Sequence, residues 1–269
     1  MPPKAAAAAA KLWKVPPIVK AYEALGALAD KRIRILSVTP SAAAEEAGSV
    51  EHARRSLEAW LQRVSTAESA TTIAPFTLFA ECQSSSLDKK YQIALSATPK
   101  AEIVSAGSSG ASALRGCPIM QLRESCSDLT INVNDNGAMF QGYLGYPAVA
   151  LLVGLGLGAE AADERAAVES STARLAGVPW KRIAVQHKNN WDKVVATALE
   201  DVSQQHGQQA VRELQRATAK ITELLQQRVV DRFRRAGSLV MAKPEAIVQP
   251  HAKRERSETA ELERDAAQP

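Results

Sequence analysis

The clearest pattern of apolar and polar positions lies in residues 128–157, and it defines the centre of the predicted fold. Apolar side chains alternate with polar ones at Leu129, Ile131 and Val133, which is the spacing of a strand with one buried face. The sequence therefore predicts a half-buried strand at the start of this run.

A turn and a buried helix are expected directly after that strand. The dipeptide Asn136-Gly137 favours a type I′ hairpin turn, because both central residues of such a turn need positive φ. Residues 138–143 would then return as a short strand or a loop. Pro147 suits the first position of a helix, and the apolar residues that follow predict that this helix is buried.

The amino-terminal half shows helical and strand-like spacing in turn. After Pro17, apolar residues predict an amphipathic helix that closes near residues 26–30, with Lys20 and Glu23 on its polar side. Residues 32–38 then read as a strand. Further on, the sequence predicts a helix over residues 50–64 and a hairpin formed by residues 71–80 and 91–97.

The carboxyl-terminal half is predicted to be helical. One helix covers residues 160–176, another begins at Pro179, and a long amphipathic helix covers residues 208–236. Gly207 is expected to separate the long helix from the helix before it.

These elements predict an α+β protein with a small antiparallel sheet covered by helices. The expected organisation is a basic, alanine-rich arm, a core with two insertions, an added long helix and a disordered, highly charged tail. The corresponding ranges are 1–14 for the arm, 15–206 for the core, about 39–70 and 99–126 for the insertions, 207–236 for the long helix and 237–269 for the tail.

Composition narrows the class of protein only slightly. The chain has 269 residues, a net charge of +4 and 46% hydrophobic residues, but only 4% aromatics, so the core is expected to be smaller than the length suggests. Three cysteines without a paired spacing argue against a disulfide framework and a zinc site, and they favour a reducing compartment. We expect a soluble, cytoplasmic protein. The alternatives are a mitochondrial protein, which the acid-free amino terminus favours, and a nuclear protein.

Five short segments together resemble a small, stand-alone, uncharacterised conserved domain family of archaeal type. They are residues 15–30, 32–35, 134–137, 142–147 and 178–181. The resemblance extends to about His206 and carries no biochemical activity. It implies that the two insertions and both ends are additions to a smaller ancestral unit, and it leaves the membership of the long helix open.

The turn after the predicted strand is one candidate site. Its polar and aromatic residues could line a concave mouth for a small ligand: Asn134, Asp135, Asn136, Gln141, Tyr143 and Tyr146. The spacing also begins like a calcium loop, but Tyr143 stands where a bidentate Glu is required. The Gly142–Gly145 spacing fits a nucleic-acid clamp, although close packing of glycines explains it more simply. No metal and no cofactor are expected.

The long helix carries the second candidate site. Arg212, Arg216 and Lys220 are four residues apart and form a basic ridge opposite the apolar seam. The leading hypothesis is a non-enzymatic binding or assembly module that uses this ridge to dock a protein or nucleic-acid partner. Such a partner could be RNA or a ribonucleoprotein.

The alternative is an enzyme or small-ligand-binding protein with a pocket around residues 135–146. A third possibility is that the long helix pairs with a second copy of itself; no membrane association is expected.

Overall fold

A computed structural model describes residues 13–41, 48–66, 73–85, 89–100, 125–156 and 162–227. Three predictions therefore lie wholly or mostly outside the described residues: the arm as far as residue 12, most of the insertion at 99–126, and the tail at 237–269. The last two residues of the predicted arm belong to the fold, because Trp13 is buried and the Lys14 amide donates to the Gly142 carbonyl at 2.8 Å.

Four strands form one antiparallel sheet in the order β1-β2-β3-β4. Their bounds are Ile33–Thr39 for β1, Phe76–Gln83 for β2, Lys90–Pro99 for β3 and Cys126–Val133 for β4. The pairing of β2 with β3 confirms the predicted hairpin. The expected alternation in β4 is also confirmed, since its apolar residues are buried and Leu95 of β3 pairs with Ile131.

Six helices complete the described fold and confirm the α+β class. Their bounds are Ile18–Ala29 for α1, Val50–Thr66 for α2, Tyr146–Gly154 for α3, Ala162–Leu175 for α4, Trp180–Gln186 for α5 and Trp191–Leu225 for α6. Helix α3 is buried along most of its length and has a proline in its first turn, as expected. Helix α6 is interrupted at Gly207, whose φ of 82° and ψ of 168° are not helical.

Helix α2 lies within the predicted insertion at 39–70, yet it belongs to the common core. Trp60 is completely buried, its indole nitrogen donates to the Ala74 carbonyl at 2.9 Å, and its ring lies 5.7 Å from that of Phe76 in β2. Whether this segment was inserted into a smaller unit stays a prediction. Its helix nevertheless supplies one of the largest buried side chains of the protein.

The predicted hairpin after β4 is wrong. Asn136 has a right-handed helical conformation with a φ of −62°, and residues Gly137–Gln141 form a π-helical turn instead of a return strand. Asp135 explains the difference, because its Oδ1 accepts hydrogen bonds from the amides of Gly137 at 2.7 Å and Ala138 at 3.3 Å. A carboxylate that satisfies the free amides at the start of a helical turn stabilises that turn.

Candidate functional site

Two residues of the predicted turn site make structural contacts. The Asn134 side-chain oxygen accepts a 2.7 Å hydrogen bond from the Gln92 amide and so continues the pairing of β3 beyond the end of β4. The ring of Tyr143 covers Gly137 so closely that a Cβ there would lie 2.5 Å from it. Both residues therefore fix the π-helical turn against its surroundings.

The other four predicted turn residues separate into two groups. Asp135 and Tyr146 are buried, whereas Asn136 and Gln141 are exposed. Neither of the two cavities described below is lined by residues 134–146. A ligand pocket at this turn stays a prediction, and neither of these two cavities supports it.

Tyr146 instead belongs to a buried polar cluster. Lys20 Nζ lies 2.8 Å from a carboxylate oxygen of Glu23 and 5.9 Å from the centre of the Tyr146 ring. The Arg32 guanidinium lies 5.8 Å from the same ring, and Tyr91 meets it edge to face at 5.8 Å. Glu23 is only 3% exposed, so its expected position on the polar face of α1 is wrong.

Burial changes the acid–base properties of this cluster. It raises the pKa of Glu23 from 4.5 to about 7, against the opposing effects of Lys20 and Arg32, and the nearby Asp135 adds to the increase. Burial also raises the pKa of Asp135, which its backbone hydrogen bonds partly offset, and the pKa of Tyr146. Glu23 therefore titrates near neutral pH inside the core.

A larger feature is a groove of about 900 Å³ between α1, α2, α4 and the part of α6 after Gly207. We call it the basic groove. Arg216 and Lys220 line it, whereas Arg212 is exposed on the same helix and does not. The structure thus divides the predicted basic ridge and places two of its three members beside one concave surface.

The basic groove has an apolar interior and a predominantly positive border. Of the described residues that line it, six are basic and three are acidic. The basic ones are Lys31, Arg54, Arg165, Arg174, Arg216 and Lys220. Apolar side chains between them include Leu28, Val168, Ile221 and Leu224.

One ion pair links two walls of the basic groove, and a second lies within another wall. Arg174 of α4 pairs with Glu213 of α6, and Arg54 pairs with Glu51 at 2.8 Å within α2. A hydrogen bond from Gln209, followed by the one from Arg174, lowers the pKa of Glu213, so this carboxylate is ionised at neutral pH. Each pair takes up one acid and one cation, so the described lining keeps the same excess of positive charge at its border.

A second cavity of about 730 Å³ lies beside α5. We call it the α5 cleft. It is lined by Lys31 and Arg32 after α1, by Ser85 after β2, and by Lys181 and Arg182 of α5. Lys31 is shared with the basic groove, so the two cavities meet at this residue.

A metal site, a reactive thiol and a membrane span each require features that can be sought among the described residues. It contains no group of three or more His, Cys, Asp or Glu residues that could hold a metal ion. Cys82 and Cys126 are free and buried, and burial raises the pKa of each thiol to about 12. Within the same described ranges, no helix has the length and hydropathy that a bilayer span requires.

Comparison with protein families matches part of the chain. Residues 122–230 match a family described as Uncharacterised conserved protein UCP014422. The matched range contains β4 and every helix from α3 to α6, which confirms the resemblance to an uncharacterised conserved family. It also extends past Gly207, so the predicted long helix, whose membership was left open, lies inside the matched range as far as residue 230. The archaeal character inferred from the sequence stays a prediction, as the family description carries neither source nor activity.

No curated protein and no solved structure matches the chain. The α4 and α6 sides of the basic groove lie inside the family match, while its α1 and α2 sides lie outside it.

Sequence reasoning missed the buried charges Glu23 and Arg32. The sequence did contain a signal that Glu23 is buried, because residues 24–29 at the end of α1 are all apolar or glycine. A helix that is apolar on almost every side is buried, and its single acid must then be buried with it.

Proposed function

We propose that this protein is a non-enzymatic binding module that docks an acidic, amphipathic helix of a partner protein in the basic groove. One observation carries the proposal: an apolar cavity of about 900 Å³ is bordered by six basic and three acidic described side chains. An amphipathic helix buries its apolar face in such a groove and leaves its charged flanks at the border. Acidic flanks would complement the positive excess.

The composition of the groove favours a protein partner over RNA. Single-stranded RNA is usually held by aromatic side chains that stack on its bases, together with cations that meet its phosphates. None of the described residues lining the groove is Phe, Tyr, Trp or His. Aliphatic side chains such as Ile221 and Leu224 match the apolar anchors of a helix better than they match nucleotide bases.

The position of the groove between separate helices also supports docking. Arg216 and Lys220 are exposed one turn apart on α6, with the buried Ile221 and Leu224 beside them. These cations therefore border one side of an apolar strip, and Lys31 and Arg54 add positive charge from other elements of the lining. This arrangement complements a helix that has Leu along one face and Glu on each side of it. Because α4 is tied to α6 by the Arg174–Glu213 pair, the two walls are already in place before a partner arrives.

Fluorescence anisotropy tests the proposal with two labelled probes and two charge variants. The first probe is a helical peptide with Leu at positions i, i+3, i+4 and i+7 and Glu on both flanks, and the second is a single-stranded RNA. Arg216→Glu combined with Lys220→Glu reverses the groove cations. The matched control combines Arg212→Glu with Lys193→Glu, because both of these side chains are exposed on the same helix outside the groove lining.

We expect the peptide to bind the unaltered protein and the groove variant to lose at least about tenfold in affinity, since two charge-assisted contacts become repulsive. The affinity of the control variant for the peptide should stay within about threefold of that of the unaltered protein, because only the overall charge has changed. Equal losses in both variants, or RNA binding that depends on Arg216 and Lys220 while the peptide fails to bind, would contradict the proposal. A peptide with the same composition but scrambled spacing should not bind.

A further inference from the structure

The α5 cleft adjoins the basic groove at Lys31 and has a higher ratio of basic to acidic residues in its lining. Its described lining holds four cations, Lys31, Arg32, Lys181 and Arg182, against the single carboxylate of Asp30. That carboxylate already pairs with Arg32, with its Oδ2 lying 3.3 Å from Arg32 Nε. The three remaining cations form no ion pair within the described part of the chain.

Arg32 gives the cleft a fixed inner wall. Its side chain is 5% exposed, and its Nη1 donates to the Gln83 carbonyl at 3.2 Å and to Ser85 Oγ at 3.3 Å. These contacts connect the residue after α1 to the end of β2. The position of the positive charge is thereby set by the sheet and not by a freely rotating side chain.

Lys31 occupies a backbone conformation that is costly for lysine. Its φ is 52°, and it follows α1 at the position where a glycine usually ends a helix. The Lys31 amide donates to the Leu28 carbonyl and the Arg32 amide to the Ala27 carbonyl, which is the hydrogen-bond pattern of that glycine motif. Strain of this kind at a residue that lines a cavity points to a role for its side chain.

Lys181 and Arg182 also stand where local energetics disfavour them. Both are exposed in the first turn of α5, which contains no acidic residue. Free amides at the start of a helix carry partial positive charge, so cations there lower its stability instead of raising it. Neither the fold of α5 nor an ion pair in the described structure accounts for these two charges.

We propose that the α5 cleft binds a phosphorylated small molecule with at least two phosphate groups. Three cations without ion-pair partners can neutralise such an anion, and Ser85 adds a hydroxyl group at the inner wall. A volume of about 730 Å³ is within the range of small-molecule sites. The cleft shares Lys31 with the basic groove, but Lys181 and Arg182 line the cleft alone, so their substitution tests phosphate binding without altering the groove lining.

Isothermal titration calorimetry with pyrophosphate, adenosine triphosphate and a short single-stranded RNA tests the proposal on the full chain. Lys181→Glu with Arg182→Glu reverses two cleft charges, and Lys193→Glu with Arg212→Glu changes the net charge equally on exposed positions outside the cleft. A further variant, Lys31→Gly, removes one cation and also relieves the backbone strain at this position.

We expect pyrophosphate and adenosine triphosphate to bind the unaltered protein. The double variant in the cleft, which we call the cleft pair, should lose at least about tenfold more affinity for them than the control double variant, the control pair. Lys31→Gly should weaken binding while raising the melting temperature, a combination that loss of structure cannot produce. The proposal is overturned if neither small phosphate binds or if both pairs lose affinity equally. It is also overturned if the cleft pair affects RNA alone, or if Lys31→Gly leaves binding unchanged.

Discussion

The carboxylate of Asp135 lies so close to Gly145 that a Cβ atom at position 145 would overlap it. The same carboxylate accepts hydrogen bonds from the amides of Gly137 and Ala138, so it connects the π-helical turn to the residue that precedes α3. Gly145 has a φ of −71°, which any residue can adopt. Glycine is therefore required at this position for space and not for conformation.

Replacing Gly145 with alanine should destabilise the fold. The added methyl group would displace the Asp135 carboxylate, and overpacking of a closely packed site costs about 1–3 kcal/mol. Urea unfolding followed by circular dichroism measures the loss. An unfolding free energy unchanged by Gly145→Ala would mean that the carboxylate does not lie against this backbone.

A double-mutant cycle identifies the cause of that loss. Asp135→Ala should itself cost about 1–2 kcal/mol, because the turn loses the acceptor for two of its amides. The same change opens the space that a methyl group at position 145 needs. The double variant should therefore lose less stability than the two single variants added together, and strict additivity would contradict the contact.

The break in α6 gives a contrasting prediction for glycine. Gly207 has no heavy atom within 4 Å of where a Cβ would stand, but its φ of 82° and ψ of 168° belong to a region that is essentially restricted to glycine. Gly207→Ala should cost about 1–3 kcal/mol through backbone strain alone. Thermal unfolding of Gly207→Ala and of the unaltered protein measures this loss of stability. A neutral or stabilising effect would indicate that the helix continues through residue 207.

Glu23 predicts a specific dependence of stability on pH. Its pKa is about 7 in the folded protein, whereas the ordinary value for glutamate, which applies to the unfolded chain, is 4.5. Between these two pH values the folded state therefore holds a proton that the unfolded state has released. Stability contributed by this group is therefore present at low pH and is lost as the pH rises from 4.5 to 7. The full loss is up to about 3 kcal/mol.

Glu23→Gln isolates that effect, because glutamine has nearly the same shape but does not titrate. Chemical unfolding should be measured for both proteins at several pH values across this interval. The wild-type unfolding free energy should fall relative to that of the variant as the pH rises. Titration of Asp135, whose pKa is also raised, occurs in both proteins and largely cancels in the difference. If the unfolding free energies of the two proteins changed in parallel with pH, the raised pKa of Glu23 would be contradicted.

Trp60 tests whether α2 is part of the core. Trp60→Ala removes a completely buried indole that packs on Phe76 and donates to the Ala74 carbonyl, so the expected loss is about 3–5 kcal/mol. Phe140→Ala is the control, because that ring is 77% exposed and its removal should change stability by no more than about 0.5 kcal/mol. Similar effects of the two substitutions would mean that α2 can be removed without loss of the core.

The periodic parts of the fold could be predicted from the sequence because their side chains carry the signal directly. The alternation at Leu129, Ile131 and Val133 identified β4, and the spacing after Pro147 identified α3. The Asn136-Gly137 pair misled because its turn propensity is local, whereas the Asp135 carboxylate before it supplied a competing cap. The turn propensity is a property of Asn136 and Gly137 alone, whereas the helical turn that forms depends on the side chain of Asp135.

The candidate sites were less predictable because they combine residues that are distant in sequence. Arg216 and Lys220 were identified from helical spacing, but the same spacing included Arg212, which faces away from the groove lining. The apolar floor includes Leu28 and Val168, and no pattern in the sequence indicates that these two residues meet α6. Similarly, Lys31 and Lys181 come together only when α5 has packed beside α1.

The central claim is that the basic groove is a docking surface, and methyl nuclear magnetic resonance tests it most directly. The labelled protein is titrated with the acidic amphipathic peptide, and chemical shifts are followed for every assigned Ile, Leu and Val methyl group. We predict saturable shifts at Val168, Ile221 and Leu224, with no change at Leu36, an exposed side chain on β1 that does not line the groove. Saturable shifts that leave these three groove residues unchanged, or no shifts at all, would contradict the account.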